Sequence, residues 1–247
     1  MEQKLMEIAL TRMEGLTVED IRLGLGYTAV KNSAGGTGLA YTLRGRLPSH
    51  CGLNPLAGSM IGMGLEEAAR KFIDPRNVIN ASIGLAAVNS VLNNDVTGYS
   101  TGDITNILDV KNTDWVGMVG HFKPVENQLK KVTPHVFVVD DKQAYLEEEK
   151  YNSFYEILSK CQIIIITATT LINKTLNDIL GHTGKARKKA LLGPSTPLNP
   201  TVFKNTGIDI LSGMIVENSD KVLEIVSQGG GTMLFKKHCQ KINININ

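Results

Sequence analysis

Apolar positions along this chain change their period several times, and each change marks an element. Met6, Ala9, Leu10 and Met13 share a helical face, which predicts a first helix ending near Gly15. From Val18 to Asn32 the pattern alternates through Ile21, Leu23 and Leu25 into Tyr27-Thr28-Ala29-Val30. Gly35-Gly36 then offers a turn, and Leu39 to Leu43 reads as the returning strand of an antiparallel hairpin. Residues 45 to 64 are irregular and glycine-rich, the composition of a binding loop or lid. A helix is expected from Leu65 to Phe72, then Asp74-Pro75 as a helix start, then a helix from Val78 to Leu92. Ile79, Ile83, Ala86, Ala87 and Val91 make that helix buried, and Asn80 and Asn89 are its polar interruptions. Asn89 is either an internally satisfied amide or a ligand contact.

The second half alternates strands with helices. Four consecutive isoleucines, Ile163 to Ile166, suit a strand covered on both faces. The polar turn Thr167-Ala168-Thr169-Thr170 follows, then a helix carrying Ile172, Leu176, Ile179 and Leu180 on one face. Around this unit, strands are expected at Trp115 to Val119, Val136 to Val139 and Ala190 to Leu192. A fifth is expected at Ile208 to Leu211 or its continuation Met214 to Val216, and a last one at Thr232 to Phe235. Helices are expected at Lys123 to Lys131, Tyr151 to Lys160 and Asp220 to Ser227. Such alternation predicts an α/β fold, a mostly parallel sheet flanked by helices, preceded by a smaller α+β unit. The turn-rich stretch Asn93 to Thr113 is the expected boundary, giving domains 1–108 and 109–247. The tail, with Ile and Asn alternating, reads as an edge strand or a frayed end.

Composition narrows the function classes. With 247 residues and a net charge of +2, the chain has ample core and no basic footprint for nucleic acid. The densest basic run, Lys185 to Lys189, lacks aromatics and reads as a solvated loop. Cys51, Cys161 and Cys239 are far apart and lack CxxC spacing, which fits a reducing cytoplasm. The first ten residues show no signal-peptide pattern, and no apolar run approaches a membrane span.

The strand ends carry the candidate chemistry. In an open α/β sheet, ligands sit at the carboxyl ends of strands. Gly120-His121, Asp140, Thr169-Thr170, Pro194-Ser195-Thr196 and Ser212-Gly213 all fall there, rich in glycines and hydroxyls that can hold a polar or anionic molecule. Capping and turn formation are the competing roles for each hydroxyl. His121 could be an acid or base, a metal ligand or an interface histidine. His135, His182 and His238 read as solvated. Asp140 follows Gly120 at a spacing that would suit a nucleotide ribose, but Gly117-Met118-Val119-Gly120 is only a fragment of the dinucleotide fingerprint. GxxxxGK[S/T], GxSxG and HExxH are absent. His50-Cys51 could ligate a metal, but no third ligand lies near in sequence.

Four segments carry a family resemblance: VGMVGHF (Val116 to Phe122), ATTLINKTL (Ala168 to Leu176), LLGPSTPLNP (Leu191 to Pro200) and GIDILSG (Gly207 to Gly213). Together they resemble the putative heavy-metal chelation family. The hairpin, the glycine-rich loop and ASIGLAAVNSVLN (Ala81 to Asn93) resemble its companion domain, which has an enolase N-terminal-like fold. The resemblance implies a Rossmann-like C-terminal domain and an active site in the interdomain cleft. It implies that Asn89, His121, Thr169, Thr170, Asn173 and the turn Gly193-Pro194-Ser195-Thr196 face that cleft. A metal ion or metal chelate is the implied bound species, although the chain has no dense Cys/His cluster.

The leading expectation is therefore a cytoplasmic small-molecule-binding protein or enzyme acting in heavy-metal chelation or chelator metabolism. Its partner would be a polar or anionic small molecule, not nucleic acid or membrane. An adenosyl-methionine- or nucleotide-dependent transferase, with Asp140 on the ribose, is the alternative. A scaffold or homo-oligomeric interaction protein would instead show a blocked cleft and an exposed apolar patch.

Overall fold

A computed structural model of the protein describes residues 1–47, 54–74, 77–140, 148–184 and 186–246. His50 and Cys51 lie outside the described residues. No described helix is long and apolar enough to cross a membrane.

The N-terminal part starts with helix α1 (Glu2–Leu10) and continues as three strands, β1 (Val18–Leu23), β2 (Tyr27–Asn32) and β3 (Thr37–Tyr41). They form an antiparallel meander in the order β1-β2-β3. The sequence pattern predicts one long strand from Val18 to Asn32; the chain instead reverses over Gly24 to Gly26, where the Gly24 amide donates to the Tyr27 carbonyl at 2.8 Å. Helices α2 (Leu65–Arg70) and α3 (Val78–Leu92) follow the meander. α3 has the expected bounds and is capped by Asn77, whose side chain accepts the Ile79 and Asn80 amides at 2.9 and 3.2 Å; Pro75 of the expected Asp74-Pro75 start lies outside the described residues. α3 is buried almost all round and lies directly on β3. Gly38 permits this, since a Cβ there would stand 2.1 Å from the Ala86 carbonyl oxygen and 2.2 Å from the Ser90 amide nitrogen.

The C-terminal part is a seven-stranded sheet. Its elements in chain order are β4 (Ser100–Thr101), β5 (Val116–Val119), α4 (Lys123–Leu129), β6 (Val136–Val139), α5 (Glu148–Leu158) and β7 (Ile163–Thr167). After them come α6 (Thr169–Ile172), α7 (Leu176–Gly181), β8 (Lys188–Leu192), α8 (Pro200–Phe203) and β9 (Ile210–Val216). The chain closes with α9 (Ser219–Ser227), α10 (Thr232–Phe235) and β10 (Cys239–Asn245). The spatial order is β4-β10-β9-β8-β7-β5-β6. β6, β5, β7, β8 and β9 are parallel, whereas β10 runs antiparallel to β9 and β4 antiparallel to β10.

Both faces of the sheet are covered, as the isoleucine run requires. Ile164 and Ile166 join the core shared with α1 and α3, while Ile163 and Ile165 pack with Val116, Met118, Val125 and Leu129. All four isoleucines are fully buried, each worth roughly 2–3 kcal/mol of transfer free energy.

Four local expectations are corrected. The helix expected through Ile172 to Leu180 is split, because the Asn173 side chain accepts the Thr175 amide at 3.2 Å and hydroxyl at 2.7 Å, and Lys174 is left-handed (φ 64°). Ser212-Gly213 is no strand end, since β9 runs on to Val216. Thr232 to Phe235 is a helical turn. The tail is an interior strand: alternation puts Ile242 and Ile244 into the core and register sets Asn243 between Ser212 and Ser100.

Candidate functional site

The strand order fixes where a ligand could enter. From β5 the chain goes to β6 on one side, then returns to lay β7 on the other. The loops after β5 and β7 therefore leave in opposite directions at the carboxyl rim, the position where ligands sit in open α/β sheets. Gly120 ends β5 in the left-handed region at φ 88°. A Cβ there would stand 2.7 Å from Thr167 Cγ2, so only glycine lets the two strand ends touch. The Thr167 and Thr169 hydroxyl oxygens are 3.0 Å apart. Gly193, which follows β8, is also left-handed, and a Cβ there would lie 3.7 Å from the Phe122 ring. The ends of β5, β7 and β8 thus pack against one another.

His121 stands on this rim with 42 % of its side chain exposed. Its Nε2 lies 2.8 Å from Glu126 Oε2. The Glu126 side chain is only 8 % exposed and also receives Lys130 Nζ at 2.5 Å and Lys123 Nζ at 3.0 Å. Hydrogen bonds from Lys130, His121 and Lys123, in that order, hold its carboxyl down from 4.5 to about 2. At neutral pH Glu126 is therefore ionised, and it favours the His121 tautomer with a proton on Nε2. His121 Nδ1 makes no hydrogen bond to the described residues.

The other expected site residues divide by position. Thr169 and Gly193 share the rim with His121. Asp140 follows β6, whose last residue, Val139, accepts the Gly120 amide on its carbonyl at 2.7 Å; it lies on the side of β5 away from β7. Thr170 is buried and its hydroxyl donates to the Thr167 carbonyl at 2.7 Å. Asn173 is engaged in the turn that splits the helix. Asn89, Pro194, Ser195 and Thr196 are buried where α3 meets the turn after β8. There Asn89 Nδ2 donates to the Leu39 carbonyl at 2.8 Å and the Ser195 carbonyl at 3.1 Å. The Ser195 hydroxyl accepts the Tyr41 amide at 2.8 Å, and that of Thr196 donates to the Ser212 carbonyl at 3.0 Å. These groups latch the two parts of the chain together, and the contact is closed.

Glu126 and Asn93 were not legible in the sequence. Asn93 bonds the Thr196 carbonyl at 3.0 Å and the Leu198 amide at 2.8 Å; its place one turn after Asn89 was the available signal. For Glu126 the signal was a carboxylate in the first turn after a histidine, which is common enough to say little.

No described trio of His, Cys, Asp or Glu could hold a metal ion. Burial pushes the Cys161 thiol up to about 11, and burial with Glu217 pushes Cys239 up to about 12, so neither offers a thiolate. His135 stacks on Trp115 at the amino end of β6, and His182 stacks on Tyr155. A shallow hollow of about 540 Å³, lined by Met13, Leu16, Leu65 and Arg70 among others, shares no residue with the rim.

Comparison with known proteins decides the family. Residues 103–245 match DUF364, described as putative heavy-metal chelation, and residues 6–92 match DUF4213, with the same description. The chain belongs to the DUF364 family. A DUF364 protein of unknown function from Pyrococcus horikoshii has the same fold, with a TM-score of 0.83 and 26% identity over 99% of both chains. A second, from Desulfitobacterium hafniense, has a TM-score of 0.77 and 28% identity over 98% of both. An uncharacterized protein of Methanocaldococcus jannaschii is 25% identical over 99% of this chain and 96% of its own. The β5–β7 rim and the α3 latch thus lie in a DUF364 chain with relatives spanning nearly its whole length.

Proposed function

We propose that this DUF364 protein binds a small polar or anionic molecule, a chelator or its metal complex, at the carboxyl rim of the large sheet. The observation that carries the reading is the contact of Gly120 with Thr167 at the strand-order reversal. It sets the Thr167 side chain against the residue that precedes His121, and the Thr167 and Thr169 hydroxyls lie 3.0 Å from each other on the same rim. These are the groups the rim offers to carboxylates and hydroxyls of a ligand. Asn89, Ser195 and Thr196 act as the latch that holds the rim's third loop in place, not as ligand contacts. Isothermal titration against polycarboxylate chelators, alone and metal-loaded, tests the reading. Binding that weakens about tenfold or more in a Thr167→Val, Thr169→Val double variant is expected; heat-silent titrations with every chelator and complex would remove it.

A second reading, self-association, is favoured by one observation. Leu25, Met233 and Leu234 are 67%, 69% and 58% exposed, and Leu25 and Leu234 flank the Gly229-Gly230 corner where the two parts of the chain meet. Sedimentation equilibrium tests it: a monomer up to about 100 μM, well above the ~μM range of ordinary interfaces, excludes it.

A further inference from the structure

Resting on the rim reading, the donor set at that rim specifies what kind of metal species could bind there. A bare divalent ion asks a protein for three or four donors. Among the described residues no such group exists, and the described thiols are buried and protonated. One imidazole, however, is set up as metal-binding histidines are. Ligating histidines almost always give their other ring nitrogen to a carboxylate or carbonyl, which fixes the ring and raises its basicity. His121 does this with Glu126 at 2.8 Å, and Glu126 is in turn held by Lys123 and Lys130. Three hydrogen bonds to a nearly buried carboxylate are a support for one half-exposed ring.

We propose that His121 gives one nitrogen, Nδ1, to a metal that arrives already chelated, so that the rim selects a metal chelate with an open coordination position over a bare ion. The chelator supplies the remaining donors. One dative bond forms, one metal-bound water leaves, the Nε2 proton stays with the Glu126 hydrogen bond, and no electron changes hands. The Phe122 ring lies beside Gly193 on the same rim, and the Thr167 and Thr169 hydroxyls meet the chelator's polar groups. Glu126 is a positioning residue, acting on the metal only through His121.

The probe is copper(II)–nitrilotriacetate, a tetradentate complex with room for a further ligand, titrated into the full chain and followed by calorimetry and electron paramagnetic resonance. One equivalent should bind with the splitting of a single imidazole nitrogen. In His121→Gln this signal should vanish and affinity per folded molecule should fall at least tenfold. Glu126→Gln should weaken binding about tenfold while keeping the one-nitrogen signal. Undiminished binding in His121→Gln overturns the proposal, as does a multi-nitrogen spectrum, which would mean that the protein strips the copper. Equal affinity for metal-free nitrilotriacetate overturns it while leaving the rim reading intact. If neither the chelator nor its complex binds, the proposal and the rim reading fall together.

Discussion

At the scale of single residues, Asn89 of α3 illustrates how a polar group in an apolar helix is legible as special while its partner stays open between an internal amide and a ligand contact. Asn89 is fully buried and satisfies two carbonyls, one on β3 and one in the turn after β8. Removing it leaves both without a donor. Asn89→Ala is expected to cost about 2–4 kcal/mol in urea unfolding, with chelator affinity per folded molecule little changed; a loss of binding without a loss of stability would return Asn89 to the ligand. Gly120 makes the opposite prediction. Gly120→Ala combines left-handed strain with a Thr167 methyl at 2.7 Å, so about 2–4 kcal/mol of stability should go, and rim binding with it. The position of His121 was legible because a residue just after a buried strand must emerge at the rim. Its pairing with Glu126 was not, because side-chain pairing within one turn of a loop–helix junction leaves no periodic trace.

At the scale of elements, strands built from β-branched runs were legible and short apolar stretches were not. Ile163 to Thr167, with four consecutive isoleucines, has the β-branched composition that a covered strand favours. Thr232 to Phe235 has too few residues to distinguish a helical turn from a strand. The tail was ambiguous for a different reason: alternation predicts a strand but not its neighbours. β10 lies between β9 and β4, and ending the chain after His238 is expected to abolish cooperative thermal unfolding, which calorimetry would read. β10 also carries Lys241, 3.5 Å from Asp103, the residue that caps the turn at Ile104. Burial alone would raise the Asp103 carboxyl, but the Thr105 amide and Lys241 outweigh it and hold the group below its ordinary value. A folded pKa below the unfolded one contributes stability that is present above about pH 4 and lost as pH falls through the folded value. The urea midpoint should therefore drop below about pH 4, and drop less in Asp103→Asn.

At the scale of the whole molecule, alternation gave a mostly parallel sheet with helices on both faces, but not the order of its strands. Pairing order is set by which loops cross which face, and single-chain periodicity carries no such information. The order matters most here, since the reversal between β5 and β7 is what singles out Gly120, His121, Thr167 and Thr169 from the other strand ends. The two parts of the chain are held by more than the asparagine latch. Lys174 Nζ donates to the Phe72 carbonyl at 2.7 Å, lies 3.4 Å from Glu2, and sits 3.7 Å from the centre of the Phe72 ring. The latch and this clasp fix the rim's surroundings from both parts of the chain, which makes a preformed crevice the expectation rather than one that closes on its ligand.

Anomalous diffraction from crystals soaked in copper(II)–nitrilotriacetate addresses that crevice directly. A copper peak about 2.0 Å from His121 Nδ1, with chelator density against Thr167 and Thr169, is the expected result. Copper found only at His135, His182 or the hollow beside Arg70, with the rim empty, would contradict it.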